Sequence, residues 1–462
     1  MANTLRSIFG GALGGGLRDP VLSLVLSSPN TARKTSADLR LRLYHDTQTD
    51  ELMRDIAAGW SDEAAQQFRP VTLNLIRKIV DKRAAVYTAP PARIFEGMDQ
   101  AQGDALYAAM RANVVLKKAN RYTQLLKNTA LRVAWDETRQ IPRLFVIPPS
   151  LYDVTWTEDP ECPDSVVITN RDGSSDFFTL TEWTPTTYRR LSGIGSPIPV
   201  PGNPSGVNPY GMIPLVHCFA TPPDDVYFQR GGDDLITAQK AVNVALSNIW
   251  RATEFQAHGQ LVITGASRDF SAPAPAIGPT SVLYLDTGSD AKFINPNAPV
   301  GDMLEAISFL LKQTALANNL PGNIFELQDK AESGVSKAVE ERDLIEARAD
   351  DIELWRSYEA DLFQVLKRVV NTHAPGTIPE GATMRVDFGD LDRGLDDDTR
   401  LKTYQARIDM GIWSPVDAFL ADNPDVTDRE QARAILQERL SETQDLDAHA
   451  PFQGVRGVTT TP

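Results

Sequence analysis

The apolar spacing of the N-terminal third predicts helices. The segments "DELMRDIAAGW", "PVTLNLIRKIVDKRAAVY" and "DALYAAMRANVVLKKANRYTQLLKNTALRVAW" carry it, with Pro70 at a first-turn position of the second. Within the third, Lys117, Lys118, Arg121 and Lys127 read as a solvated face. From Leu144 to Cys218 the pattern changes to short β-like runs split by Pro and Gly: "RLFVIPP", "SVVITN", "FFTLTEW" and "IPLVHCF". Together these make an α+β region. Residues 1–35, Gly-rich and then Ser/Thr-rich, are expected to form a mobile arm.

The turn signals "TPPDD" and "RGGDD" open a second region. Asp233 or Asp234 can cap a helix that meets no Gly or Pro before His258. Along it Leu235, Ala238, Val242, Ala245, Ile249 and Ala252 are spaced as a heptad seam, with alanines that permit close approach of a second helix. Residues 259–301 then form a small β excursion with "QLVIT", "SVLYLD" and "KFINP". The chain returns through a helix from Asp302 to about Asn319. A helix out, a β knot and a helix back is a projection that buries little core alone, so it expects neighbours.

The polar stretch "QDKAESGVSKAVEERD" follows, and behind it a helix predicted from Ser336 to Asn371. At 1.5 Å per residue that is about 54 Å. Ile345, Ile352, Trp355, Leu362, Leu366 and Val369 form its apolar stripe. The charge-dense first half is expected where charge is tolerated, and the second half in a core. Beyond Pro375 come one strand, "ATMRVDFGDL", and helices in "LKTYQARIDMGIW", "SPVDAFLA" and "TDREQARAILQERL". Ser414 with Pro415, and Thr427 with Glu430, mark helix starts.

Length and charge sharpen this picture. At 462 residues the chain is too long for a single core. Its 42% hydrophobic and 23% charged residues are those of a soluble globular protein. No stretch is long and apolar enough to span a bilayer, so a cytoplasmic site of synthesis is expected. Two cysteines, Cys162 and Cys218, suit a reducing compartment. Residues 1–150 carry 21 basic and 14 acidic side chains, a net of +7, whereas the remainder carries 25 and 47, a net of −22. An acidic body of that kind repels nucleic acid rather than gripping it.

No catalytic constellation stands out. There is no Walker A, HExxH, CxxC or GxSxG, and the five histidines are scattered. The "DFG" at Asp387 lacks every other kinase element. Asp387, Asp390, Asp392, Asp396, Asp397 and Asp398 could gather a divalent cation, but their spacing fails the EF-hand pattern and fits a solvated acidic turn better. The residues alone point to a structural or interaction protein with no catalytic residues, no metal and no cofactor. A non-ring helical scaffold and a metal-dependent hydrolase using residues 387–398 remain as alternatives.

The order of these elements resembles the portal proteins of tailed double-stranded DNA bacteriophages. The resemblance rests on "DDLITAQKAVNVALSNIWRATEFQAHGQLVITG", on "LPGNIFELQDKAESGVSKAVEERDLIEARADDIELWRSYEADLF" and on "RLKTYQARIDMGIWSPVDAFLADNPDVTDREQA". It covers roughly Gly231 to Glu442. It implies an α+β, mainly α, portal fold: an α+β wing over 36–230, stem helices over 231–258 and 301–320, and a clip over 259–300. A tunnel loop over 321–335, a long wing helix and strand over 336–395, a helical crown over 396–446 and a tail over 447–462 complete it. The implied function is a homo-oligomeric ring, typically of twelve copies, at one capsid vertex of the virion. Double-stranded DNA passes through it during packaging and ejection. Terminase large subunit, major capsid and scaffolding proteins, and head-completion or adaptor proteins are the implied partners, without a membrane. Lys330, Ser333, Gly334, Ser336 and Lys337 would then face DNA, with Lys330 and Lys337 offering transient phosphate contacts. A sliding duplex cannot be held by many phosphate ion pairs, because each adds to the barrier for the next step.

Overall fold

The computed structural model describes residues 19–57, 69–171, 177–257, 260–264, 290–294, 298–325, 342–389, 397–423, 426 and 428–448. They fall into two compact units, residues 19–325 with 342–389, and residues 397–448. The fold class is α+β.

The first unit opens on helices α1 (Pro20–Leu26), α2 (Ser28–Tyr44), α3 (Thr49–Ala57) and α4 (Leu75–Arg83). Residues 20–35, expected within a mobile arm, are therefore helical. Asp19 caps α1 by accepting from the Val21 N–H at 2.9 Å, and Pro20 supplies the first-turn φ. Val21, Leu22 and Val25 bury against Val167, Leu180 and Leu191, an apolar surface large enough to order the segment.

Next come β1 (Ala92–Glu96), α5 (Gln100–Ala109), α6 (Ala112–Leu126), β2 (Asn128–Asp136) and β3 (Ile141–Ile147). The single helix expected over "DALYAAM…ALRVAW" is thus three elements. Arg111 and Lys127 both take left-handed backbone, φ 53° and 69°, which ends each helix. After Lys127 the alternation of "TALRVAW" prevails, because β2 is the central strand between β3 and β9 (Leu215–Phe219), both antiparallel to it. A five-stranded antiparallel sheet holds β4 (Tyr152–Thr155), β5 (Ser165–Arg171), β6 (Phe178–Trp183), β7 (Tyr188–Ser192) and β8 (Pro197–Ile198) in chain order.

The chain then runs through α7 (Asp233–Ala257), the hairpin β10 (Gln260–Thr264) and β11 (Asp290–Ile294), and α8 (Val300–Ala317). The expected strand "SVLYLD" lies outside the described residues. Helix α9 (Arg342–His373) is 32 residues long, about 48 Å at 1.5 Å per residue, and precedes β12 (Thr383–Asp387), which pairs with β1. The described helix begins at Arg342, so its expected start at Ser336 lies outside those residues.

Helix α9 is the shared wall of the first unit's main core. Ile352, Trp355, Leu362, Leu366 and Val369 are buried as the stripe predicts, and Ile345 is half-buried. The burial of charge along the same helix was not expected. Arg348 donates to the carbonyls of Ala85 and Gly389, and Lys367 to those of Glu380 and Ala382. Glu359 lies fully buried, accepting from Arg93 at 2.7 and 2.8 Å and from the Tyr87 hydroxyl at 2.9 Å. Asp351 pairs with Arg83 and accepts from Gln124 at 2.9 Å; burial raises its carboxyl pKa while Arg83 opposes the rise. Each buried charge is matched, as the desolvation cost demands.

The second unit holds α10 (Asp397–Asp409), α11 (Pro415–Asp422) and α12 (Arg429–Ala448). Ser414 and Asp417 form a reciprocal capping box at α11. Hydrogen bonds from the Ser414 hydroxyl and backbone N–H, together with Arg429, lower the Asp417 pKa to about 2. Thr427 lies outside the described residues, so its expected box with Glu430 does too.

Candidate functional site: the paired helices

The helix–β–helix order expected from the sequence is that of α7, the β10–β11 hairpin and α8. Gln256 near the end of α7 donates to the carbonyl of Ala298 just before α8, at 3.3 Å. At the other end Leu235 of α7 shares a core with Ala315 of α8 and Leu320 beyond it. The two helices therefore run side by side in opposite directions, joined by the hairpin.

Leu235, Ala238 and Val242 are buried, while Ala245 and Ile249 pack partly buried on the same cluster and Ala252 is half-buried. On α8, Ile307 and Thr314 are buried and Met303 and Leu310 half-buried, with Ile307 and Leu310 in the same cluster as the α7 residues.

A second, polar stripe on α7 was not anticipated. Gln239, Asn243 and Ser247, spaced four apart, are all buried. The N–H of Ile76 donates to Gln239 Oε1 at 3.0 Å, that of Leu73 to Asn243 Oδ1 at 3.0 Å, and that of Val71 to Ser247 Oγ at 2.9 Å. Gln239 also donates to the Leu73 carbonyl, and Asn243 donates to Gln48 Oε1 at 2.9 Å. The stripe thus supplies the hydrogen bonds that residues 71–73 would otherwise find in a sheet or helix. This explains why the expected helix from Pro70 starts only at Leu75. The signal was present as Gln, Asn and Ser at i, i+4 and i+8, but that pattern reads equally as a solvated helix face.

The pair is moored at the end away from the hairpin. Arg40 on α2 bridges the carbonyl of Leu125, at 3.1 Å, and Asp233 Oδ1 at the start of α7, at 2.6 Å. Lys127 lies beside Gly232, and its pKa is lowered by burial and by the neighbouring Arg40 and Arg83. It is not on the solvated face expected for it. Past α8, Lys78 on α4 donates to the Ile324 carbonyl at 2.6 Å and lies 4.8 Å from the Phe325 ring centroid. Residues 326–341, including Lys330, Ser333, Gly334, Ser336 and Lys337, lie outside the described residues.

The outward side of the pair is apolar as well. Phe309 is 65% exposed, Trp250 52%, and Leu304 and Leu316 47% each. Phe309 and Leu316 are seven apart and share a face of α8. A helix with apolar residues on both its buried stripe and its outer surface is the pattern of a helix enclosed on all sides.

Among the described residues no three His, Cys, Asp or Glu side chains gather as a cation site. Asp387 lies 4.0 Å from Arg356, and the other aspartates of the acidic turn have no described side chain. Cys162 is exposed and Cys218 buried, and neither forms a disulfide. No described helix is long and apolar enough to cross a membrane.

No protein-family model matches the chain, and no curated protein sequence matches it. Among solved structures the chain is similar to a chain of the neck of a native GTA particle computed with C12 symmetry. That match has TM-score 0.45 and 13% identity, covering 75% of this chain and 89% of the other. It is also similar to a chain of the neck of an empty GTA particle computed with C6 symmetry, at TM-score 0.40 and 14% identity, over 81% and 93%. A chain of the virion of a native gene transfer agent particle matches at TM-score 0.39 and 16% identity, over 79% and 89%. At these scores the similarity carries no functional weight.

Proposed function

We propose that this chain is the subunit of a portal-type ring, a conduit for double-stranded DNA at a capsid vertex and not a catalyst. The observation that carries the reading is α8. It spends one stripe on α7 and leaves Leu304, Phe309 and Leu316 in water. Each such side chain is about half exposed, so covering the remainder is worth about 1–2 kcal/mol, and the exposed face favours lateral association of copies. The helix–hairpin–helix projection and the long α9 stand in the chain order of the resemblance described above.

In this reading α7 and α8 are the stem, the β10–β11 hairpin belongs to the clip where the terminase large subunit and later head-completion proteins dock, and the three helices of 397–448 form the crown. The segment entered at Pro321 and anchored by Lys78 leads into a tunnel loop. Twelve copies of a −15 chain would carry on the order of −180, a screened but substantial repulsion that centres a duplex and lets it slide. Lys330 and Lys337 would make the few transient phosphate contacts. DNA packaging with Lys330→Ala and with residues 326–335 shortened tests this role. Reduced packaging in rings that still assemble is expected; unchanged packaging in both removes the loop from the account.

A further inference from the structure

A cavity of about 460 Å³ opens between the end of α2, α4, the turn at residues 87–90 and α6. It is separate from the paired helices' outward face, and nothing in the portal reading uses it. Four cations line it: Arg77, Lys117, Lys118 and Arg121. Among the described residues a single carboxylate, Asp81, answers them: Arg121 Nε lies 3.0 Å and Arg77 Nε 3.9 Å from it, and the Tyr44 hydroxyl donates to it at 2.6 Å. Lys117 and Lys118 have no carboxylate partner among the described residues. Lys118 Nζ instead lies 5.0 Å from the Tyr122 ring centroid. Asp81 offsets only one of the four positive charges, in a chain that is acidic overall. Cations gathered against their own repulsion without enough anions on the protein mark a place where an anion from outside is favoured.

The walls are aromatic. Tyr44 and Tyr122 meet edge to face at 6.1 Å, His45 lies edge-on to Tyr44 at 5.2 Å, and His45 Nε2 sits 2.9 Å from the Tyr122 hydroxyl. Guanidinium forks match a tetrahedral oxyanion, and ring surfaces beside them suit a planar base. The volume falls in the range of small-molecule sites. We propose that this cavity binds a phosphate-bearing ligand with a planar ring, a nucleotide unit either free or within a nucleic-acid strand.

His45 reports on occupancy. Tyr44 beside it and Tyr122 on α6 contact it, Arg77 on α4 and Lys118 and Arg121 on α6 line the same cavity, and Asp81 is reached only through the Tyr44 hydroxyl. Burial lowers its pKa, and Lys118 and Arg77 lower it further. A bound phosphate would offset those two cations and raise it.

The experiment is calorimetric titration of the full chain with AMP, inorganic pyrophosphate and a single-stranded DNA octamer, with the His45 imidazole followed by NMR. The variants are Lys117→Ala/Lys118→Ala and Val114→Trp; Val114 is 62% exposed at the cavity, so the indole can close the mouth without touching the core. The expected result is binding that weakens at least tenfold in both variants, with an upward His45 shift on saturation. AMP binding as tightly as the octamer assigns a free nucleotide, and octamer binding alone assigns a strand. Pyrophosphate matching AMP overturns the ring component. No binding of any probe at millimolar concentration, or equal binding by variants with unchanged melting, overturns the site.

Discussion

The backbone N–H of Leu73 donates to Asn243 Oδ1 at 3.0 Å, joining an extended segment to a helix 170 residues further along the chain. Asn243 is buried and also serves Gln48, so its loss leaves several polar groups unpaired. Asn243→Leu is expected to destabilise the protein by about 1–3 kcal/mol. Denaturant unfolding reads the change, and amide exchange at Val71 and Leu73 should accelerate. An unchanged midpoint would mean that the polar stripe is not what holds residues 71–73.

Phe309 and Leu316 separate folding from association, because both are exposed in the single chain. Phe309→Glu with Leu316→Glu should abolish ring assembly while far-ultraviolet circular dichroism stays unchanged. Rings that persist in this variant would place the subunit contact elsewhere.

Arg93 and Glu359 form a buried pair with side-chain exposures of 7% and 0%. Glu359→Leu strands the guanidinium and is expected to cost about 3–5 kcal/mol. The double variant Arg93→Met/Glu359→Leu should recover most of that loss. A double variant as unstable as the single one would show that the pair contributes more than mutual neutralisation.

His217 is buried with Nδ1 2.6 Å from the Tyr227 hydroxyl, and burial pushes its pKa down from 6.5 to about 4. Above pH 6.5 the ring is neutral in both folded and unfolded chains, and no penalty arises. As pH falls from 6.5 towards 4 the unfolded chain takes up a proton that the folded one refuses, so stability drops. The contribution at pH 4 is about 3 kcal/mol. The difference in unfolding free energy between wild type and His217→Gln, followed from pH 7 to 4, should shrink by that amount. A difference that stays constant with pH would contradict the assignment.

Much of the architecture was legible where one interaction dominated. The capping chemistry at Ser414 is local, and the structure forms it as read; the spacing from Leu235 to Ala252 is periodic, and Leu235, Ala238 and Val242 along it are buried. The stripe from Ile352 to Val369 behaves likewise. What misled was tertiary. Residues 128–136 look helical until β3 and β9 flank them, and Pro70 looks like a helix start until α7 supplies its neighbours with hydrogen bonds. The buried roles of Glu359 and Lys367 carry no local signal, because their partners, Arg93 and the carbonyls of Glu380 and Ala382, come from outside the helix. Of the site, the apolar spacing on α7 was readable as a buried face, whereas its buried polar stripe of Gln239, Asn243 and Ser247 was not. The loop cations Lys330 and Lys337 lie outside the described residues.

In the proposed function, copies of this chain close into a ring around a channel. Native mass spectrometry of the purified full-length protein, paired with negative-stain projections along the particle axis, tests it most directly. The expected result is a single high-order assembly, near twelve subunits, with a central hole wide enough for a duplex. A monomer or dimer at micromolar concentration, or an open filament without a closed axis, would contradict it.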